Sequence, residues 1–268
     1  AAESAKAAIA GTLAKLAERG KIAQAGADAA VALLNPVSAV ADLAPARIVI
    51  EAIVEAIDAK RQLLRELEAV VAEDCLIATN TSSLSVTAIA AAAKHPGRVA
   101  GFHFFNPVPL MKVVEVIDGA LTAPWVAPAL TALARRMGHR PVKAKDTPGF
   151  LVNHAGRGYG TEALRILSEG VADTTTIDAI LKDACGFRMG PFELMDLTGL
   201  DVSHPVMESI YHQFYEEPRF RPSPLTAQRL AAGLLGRKAG RGFYDYGGKT
   251  AAAPAAPPRG TLPRSVWI

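Results

Sequence analysis

Cysteine is scarce in this sequence, with only Cys75 and Cys185 among 268 residues. Two distant thiols rule out a disulfide framework and have no metal-ligand spacing, so no metal site is expected. Both are read as small core residues of a protein in a reducing, cytoplasmic compartment. Aromatic residues make up only 6% of the chain and the net charge is a mild +3. The densest basic clusters, Arg135-Arg136 and Arg237-Lys238, have no aromatic residues interleaved. That excludes a nucleic-acid stripe and leaves solvated surface or a local phosphate contact. No apolar run is long enough to cross a bilayer, and no signal peptide precedes the first helical pattern. No nucleic-acid or membrane partner is therefore expected. A G-x-G-x-x-G phosphate loop is also missing. Its nearest mimic, "GRGYG" at Gly156 to Gly160, lies inside a helical pattern and reads as small residues that allow close helix packing.

Half of the residues are hydrophobic and alanine runs are frequent, which favours helices packed around real cores. The first pattern is a helix with Ile9, Leu13 and Leu16 at helical spacing, followed by a polar, alanine-rich stretch to about Leu34. "ARIVIEAIVEAI" reads as a buried strand running towards Glu55, and "DAKRQLLRELEAVV" as an amphipathic helix. "CLIATN" is a short strand, and "TSSLSVTAIAAAAK" a helix opened by capping hydroxyls. "RVAGFHFF" and "KVVEVID" form a hairpin, followed by a helix stopped at Gly138 and the strand "RPVKAKD". This alternation predicts an α/β domain over 1–147 with a largely parallel sheet covered on both faces. Near Thr147 the pattern changes to helices only. Asp146 and Thr147 are suited to capping the first of them and Pro148 to its first turn. A helical domain is expected over 148–247 and a flexible Pro/Ala-rich tail over 248–268.

The hairpin carries a titratable pair. His103, among Phe102, Phe104 and Phe105, would by itself read as a satisfied core residue. The Pro107-Val108-Pro109 turn, however, brings "KVVEVI" back antiparallel and sets Glu115 across from His103. A carboxylate fixes the imidazole tautomer and raises the basicity of the far nitrogen, which makes a general base. A purely structural His–Glu pair is the competing reading. Asn80 and Ser82 follow the strand "CLIATN", at the carboxyl end where parallel sheets bind ligands, although helix capping also explains the hydroxyls there. Asn153 lies in the first turn of the helix that opens the second domain and would face the cleft between domains.

"NTSSL", "HFFNPVPLMKVVEV", "KDTPGFLVN", "MGPFELMDLTGLD" and "GRKAGRGFYDY" occur together and in this order. In this the chain resembles the L-3-hydroxyacyl-CoA dehydrogenase family, in the style of the bacterial 3-hydroxybutyryl-CoA and phenylacetate-pathway enzymes, from Ala5 to Tyr246. The resemblance implies a Rossmann-like domain followed by an all-α domain. It implies NAD as cofactor, an acyl-CoA thioester as substrate, a place in fatty-acid β-oxidation, and a homodimer formed through the helical domain. It assigns His103 as the base, Glu115 as its partner, Ser82 as a hydrogen bond to the substrate oxygen and Asn153 as a substrate-holding residue. Cofactor contacts would come from Glu55, Lys60, Asn80, Asn106 and Lys238. Thr12 and Arg19 would contact coenzyme A. The family opens with a Gly-rich βαβ unit that has no counterpart here, and the chain starts without methionine inside a helical pattern, so a fragment of a longer reading frame is expected. The alternatives are a hydroxy-acid dehydrogenase that does not use coenzyme A, and an inactive truncated paralogue kept as a dimerisation module.

Overall fold

The alternation read from the sequence is realised in a computed structural model that describes residues 2–247. The tail expected over 248–268 lies outside the described residues. Helix α1 (Ala2–Glu18) and helix α2 (Gln24–Ala32) pair as an exposed arm, and α1 buries no residue. The stretch read as merely polar thus holds a second helix, whose one buried residue is Ala27. Strand β1 (Ile48–Glu51), helix α3 (Ile57–Glu68), strand β2 (Leu76–Thr79), helix α4 (Val86–Ala90) and strand β3 (Val99–Phe104) follow. Strand β4 (Val113–Asp118), helix α5 (Val126–Arg136) and strand β5 (Arg140–Lys145) complete the first unit.

The five strands lie in the order in which they occur in the chain. β1, β2 and β3 run parallel, β4 returns antiparallel to β3, and β5 is parallel to β4. Side chains on a strand alternate between faces, and the core divides accordingly. Leu76, Ala78, Ala100 and Phe102 pack with Leu130 and Ala134 of α5 on one face. Ile77 and Val99 pack with Leu64 and Leu67 of α3 and Ile89 of α4 on the other. Every residue of β2 is buried, as a central strand covered on both faces requires.

Helices follow the sheet: α6 (Val152–Ala155), α7 (Arg157–Ser168), α8 (Thr174–Asp183), α9 (Pro191–Thr198), α10 (Leu200–Gln213) and α11 (Pro224–Ala231). Their core gathers Leu164, Phe192, Leu200 and Met207. A C-terminal turn at 242–246 is held on buried Asp196, which accepts the amides of Phe243 and Tyr244 and the hydroxyl of Tyr246.

Several boundaries differ from expectation for physical reasons. β1 stops at Glu51, because the carboxylate there accepts the Ile53 amide and turns the chain out of the sheet. α4 ends at Ala90: Ala92 and Ala93 tighten into turns, and Glu68 accepts the next amides, those of Lys94 and His95, in place of helical carbonyls. The helix expected from Phe150 onward begins at Val152 and breaks at Gly156, where a run of glycines supports helix poorly. Cys75 is buried as expected. Cys185 is exposed, because it lies just past the end of α8, next to Gly186 with φ of 74°.

Candidate active site

Register puts the hairpin pair together. His103 on β3 and Glu115 on β4 are direct cross-strand partners. His103 Nδ1 lies 2.7 Å from Glu115 Oε2, with the two residues 3% and 0% exposed. The other carboxylate oxygen, Oε1, accepts the backbone amides of Leu151 and Val152, both at 2.9 Å. Those amides are turned towards it by two left-handed residues, Gly149 at φ 78° and Phe150 at φ 50°. A non-glycine residue held there costs on the order of 1–3 kcal/mol, so the local turn is imposed by its surroundings. Phe150 is buried, and its ring packs 5.7 Å from the His103 ring, while Phe105 packs at 4.6 Å.

Burial alone would raise the Glu115 carboxyl. The hydrogen bonds from His103, Val152 and Leu151 outweigh it and hold the group below the ordinary glutamate value of 4.5. An ionised Glu115 needs a donor at His103 Nδ1, which leaves Nε2 as the ring's bare acceptor. Ser82 Oγ lies 3.1 Å from that nitrogen. The arrangement is therefore a carboxylate, an imidazole of fixed tautomer, and a half-buried hydroxyl at the imidazole's outer end.

Ser82 sits on the loop between β2 and α4, and this loop is gripped from several sides. Glu55 Oε1 accepts the amides of Ser82 and Ser83 at 2.8 and 3.0 Å, together with the hydroxyls of Thr81 and Ser83. Burial works against the Glu55 charge, but these bonds and the nearby Lys60 lower its pKa overall. Asn153 on α6 donates its amide to the Ser82 carbonyl at 3.2 Å, and Gln213 on α10 donates to the Ser83 carbonyl at 2.6 Å. Asp146 spans from the end of β5 to the start of α4, accepting the amides of Val86 and Thr87 and the Ser85 hydroxyl. Asp146 thus caps α4, not the following helix as expected, because the loop places α4's free amides beside it. Of the hydroxyls considered as caps, Thr81 accepts the Leu84 amide.

The remaining sequence-derived positions fall into two groups. Asn80, Glu55 and Asn106 surround the carboxyl ends of β1, β2 and β3. Asn80 Oδ1 accepts the Phe104 amide at 2.8 Å, its nitrogen has no partner among the described residues, and Asn106 is exposed. Lys60 is 1% exposed, with Nζ 2.9 Å from both oxygens of Glu51 and 3.5 Å from Glu55, so it reaches the site through Glu55. Glu51 also accepts the Thr79 hydroxyl. Thr12, Arg19 and Lys238 are not gathered into this cluster. The Thr12 hydroxyl bonds back to Ala8 within α1, and Arg19 is exposed just past that helix. Lys238 pairs with Asp201 at 2.5 Å, near the start of α10, about 18 Å along the helix from Gln213 at a rise of about 1.5 Å per residue. Gln213 and the bridging role of Asp146 were missed in the sequence. Both act on partners far away in the chain, and no local pattern marks them.

Comparison with known proteins adds independent findings. The domain described as "3-hydroxyacyl-CoA dehydrogenase, NAD binding domain" matches residues 1–147, and its "C-terminal domain" matches residues 149–246. A 3-hydroxyadipyl-CoA dehydrogenase of Escherichia coli is 46% identical over 228 residues, covering 85% of this chain and 48% of that protein. A probable 3-hydroxybutyryl-CoA dehydrogenase of Deinococcus radiodurans is 40% identical, covering 88% of this chain and 84% of that one. The crystal structure of (S)-3-hydroxybutyryl-CoA dehydrogenase from Ralstonia eutropha superposes with a TM-score of 0.88 at 39% identity, over 92% of this chain and 87% of that one. The chain thus spans about half the length of the Escherichia coli relative and most of the length of the other two.

Proposed function

The chain belongs to the 3-hydroxyacyl-CoA dehydrogenase family, and on that premise we propose that it interconverts an L-3-hydroxyacyl-CoA and the 3-oxoacyl-CoA, with His103 as general base. The observation that carries this reading is the line from Glu115 through His103 to the Ser82 hydroxyl, at 2.7 and 3.1 Å. In the oxidative direction His103 Nε2 takes the proton of the 3-hydroxyl group, and Glu115 stabilises the imidazolium that forms. Ser82 and Asn153 hold the substrate oxygen as its charge changes. A positioned base of this kind is worth roughly 10²- to 10⁴-fold in rate. NAD, when bound, supplies the acceptor for the hydride leaving the substrate carbon. The residues present suit its nicotinamide half: Asn80 has an amide donor without a partner among the described residues, and Glu55 and Asn106 lie at the same strand ends.

Among the described residues no helix is long and apolar enough to cross a membrane. Unpaired Cys75 and Cys185 support a reducing, cytoplasmic setting. The helical domain over 148–247 leaves Ile180, Leu197 and Val202 at least half exposed, which supports a homodimer through that domain. Relatives named for CoA esters support a thioester substrate and a place in acyl chain oxidation over a free hydroxy acid.

The test is reduction of acetoacetyl-CoA, followed by loss of NADH absorbance. His103→Gln is expected to lower the rate by at least about 100-fold. A variant that turns over like the parent removes His103 from its role.

A further inference from the structure

Beyond the residues that line the dyad, we propose that Gln213, at the last turn of α10 in the helical domain, is a positioning residue that aims the Ser82 hydroxyl at His103. This rests on the dehydrogenase reading above, because that reading gives Ser82 its task.

The geometry lies in two successive peptide units of the Ser82 loop. In the first, the Ser82 carbonyl is held by Asn153 Nδ2 at 3.2 Å and the Ser83 amide by Glu55 at 3.0 Å. In the second, the Ser83 carbonyl is held by Gln213 Nε2 at 2.6 Å and the Leu84 amide by Thr81 Oγ1 at 2.9 Å. Each peptide plane is thus pinned at both ends. In each, the amide is held from the sheet domain and the carbonyl from the helical domain. A plane fixed at one end can still pivot; the second plane begins at Ser83 Cα, where the first plane ends, so a pivot there displaces Ser83 Cα and tilts the first plane, which carries Ser82 Cα. The Ser82 Oγ to His103 Nε2 distance of 3.1 Å leaves little room for that.

Gln213 is itself held. The same nitrogen lies 2.9 Å from Ser209 Oγ and 3.2 Å from the Ser209 carbonyl, one turn back on α10. Its two amide protons are thus divided between its own helix and the Ser83 carbonyl. The side chain is a short, braced strut running from α10 to the catalytic loop. Asn153 is the other strut from the helical domain. Gln213 differs in lying one peptide further from the reacting centre, so it acts only through Ser82.

The experiment compares Gln213→Met, which keeps length and volume but removes the donor, with Gln213→Lys, which restores a donor at similar reach. The full chain is labelled with ¹⁵N-histidine, and the His103 Nε2 signal is assigned by its loss in His103→Gln. Ser82→Ala fixes the shift that marks loss of the Ser82 hydrogen bond. Gln213→Met is expected to move the Nε2 signal in that same direction, with Gln213→Lys returning towards the parent. Added to Ser82→Ala, Gln213→Met is expected to produce no further shift. In turnover, kcat falls about 10- to 100-fold with KM little changed, the scale expected when a reacting group is misplaced by up to an ångström. An unchanged Nε2 signal in both Gln213 variants overturns the proposal. So does an effect of Gln213→Met that is fully additive with Ser82→Ala. A chain that shows no turnover with any hydroxyacyl-CoA tells against the dehydrogenase reading alone, because the histidine signal still decides the role of Gln213.

Discussion

At the scale of the residue, the site depends on which nitrogen of His103 carries the proton. Glu115 decides this because both of its oxygens are already committed, one to His103 and one to the amides of Leu151 and Val152. Glu115→Gln tests this cleanly. The amide oxygen can still accept the two backbone amides, so the fold should survive. The amide nitrogen then faces His103 Nδ1 and can only donate to it, which moves the ring proton to Nε2 and removes the base. Turnover is expected to drop on the order of 10⁴-fold, the scale on which a wrong tautomer costs a triad enzyme, with the thermal unfolding midpoint little changed. Kinetics and a melting curve on the same sample check both halves. A Gln variant retaining a tenth of the parent rate would mean that Glu115 does not set the tautomer.

At the scale of the element, the short helix α4 shows what the sequence could and could not disclose. The sheet, the hairpin and the pairing of His103 with Glu115 were legible because they follow from local signals: apolar runs, a proline turn, and a period of two that keeps both residues on one face. The cap of α4 was not legible. Ser85 and Asp146 lie 61 positions apart, and Asp146 sits before a proline in a pattern that reads equally well as the start of the next helix. The end of β1 was hidden in the same way, because "EAIVEAI" stays apolar after the chain has left the sheet. The ion pair of Lys60 with Glu51, which buries the Lys60 side chain beside Glu55, was not legible either. Long-range hydrogen bonds between polar residues leave no periodic trace, and they decide how the Ser82 loop is held. Asp146 yields a prediction at this scale. Asp146→Ala removes the acceptor for two amides and a hydroxyl at the start of α4, and should lower stability by about 1–2 kcal/mol. Urea unfolding monitored by circular dichroism measures it, and a loss below a few tenths of a kcal/mol would mean that water replaces the cap at no cost.

At the scale of the whole molecule, the hydrogen-bonded carboxylates set a pH window for the fold. Glu115, Glu55, Glu68 beside Arg98, and Glu193 beside Lys182 are all held below the ordinary value of 4.5, because hydrogen bonds and cations outweigh the opposing effect of burial. A carboxyl with a depressed folded pKa adds stability that is full above its unfolded value and lost as pH falls through the folded one. Stability should therefore decline from about pH 4.5 downward, in both domains at once, since Glu55 and Glu115 serve the sheet domain and Glu193 the helical one. Asp178 opposes this. Burial outweighs its hydrogen bonds from Phe192, Tyr244 and Glu193 and raises its carboxyl, so its protonation favours the folded state; it is one raised carboxyl against six lowered ones, Asp173 and Asp201 included. At the alkaline end the sign reverses. Burial and the Asp196 carboxylate that accepts its hydroxyl push Tyr246 up from 10.0 to about 12. A raised group adds stability that is full below its unfolded value and lost as pH rises through the folded one. Tyr159 and Tyr244 are raised by burial as well, so Tyr246→Phe should reduce the slope of the alkaline limb above about pH 10 without abolishing it. Unfolding midpoints across pH 3 to 12 for the parent and this variant test the assignment. An alkaline limb unchanged by Tyr246→Phe would place the responsible group elsewhere than at the Asp196 anchor.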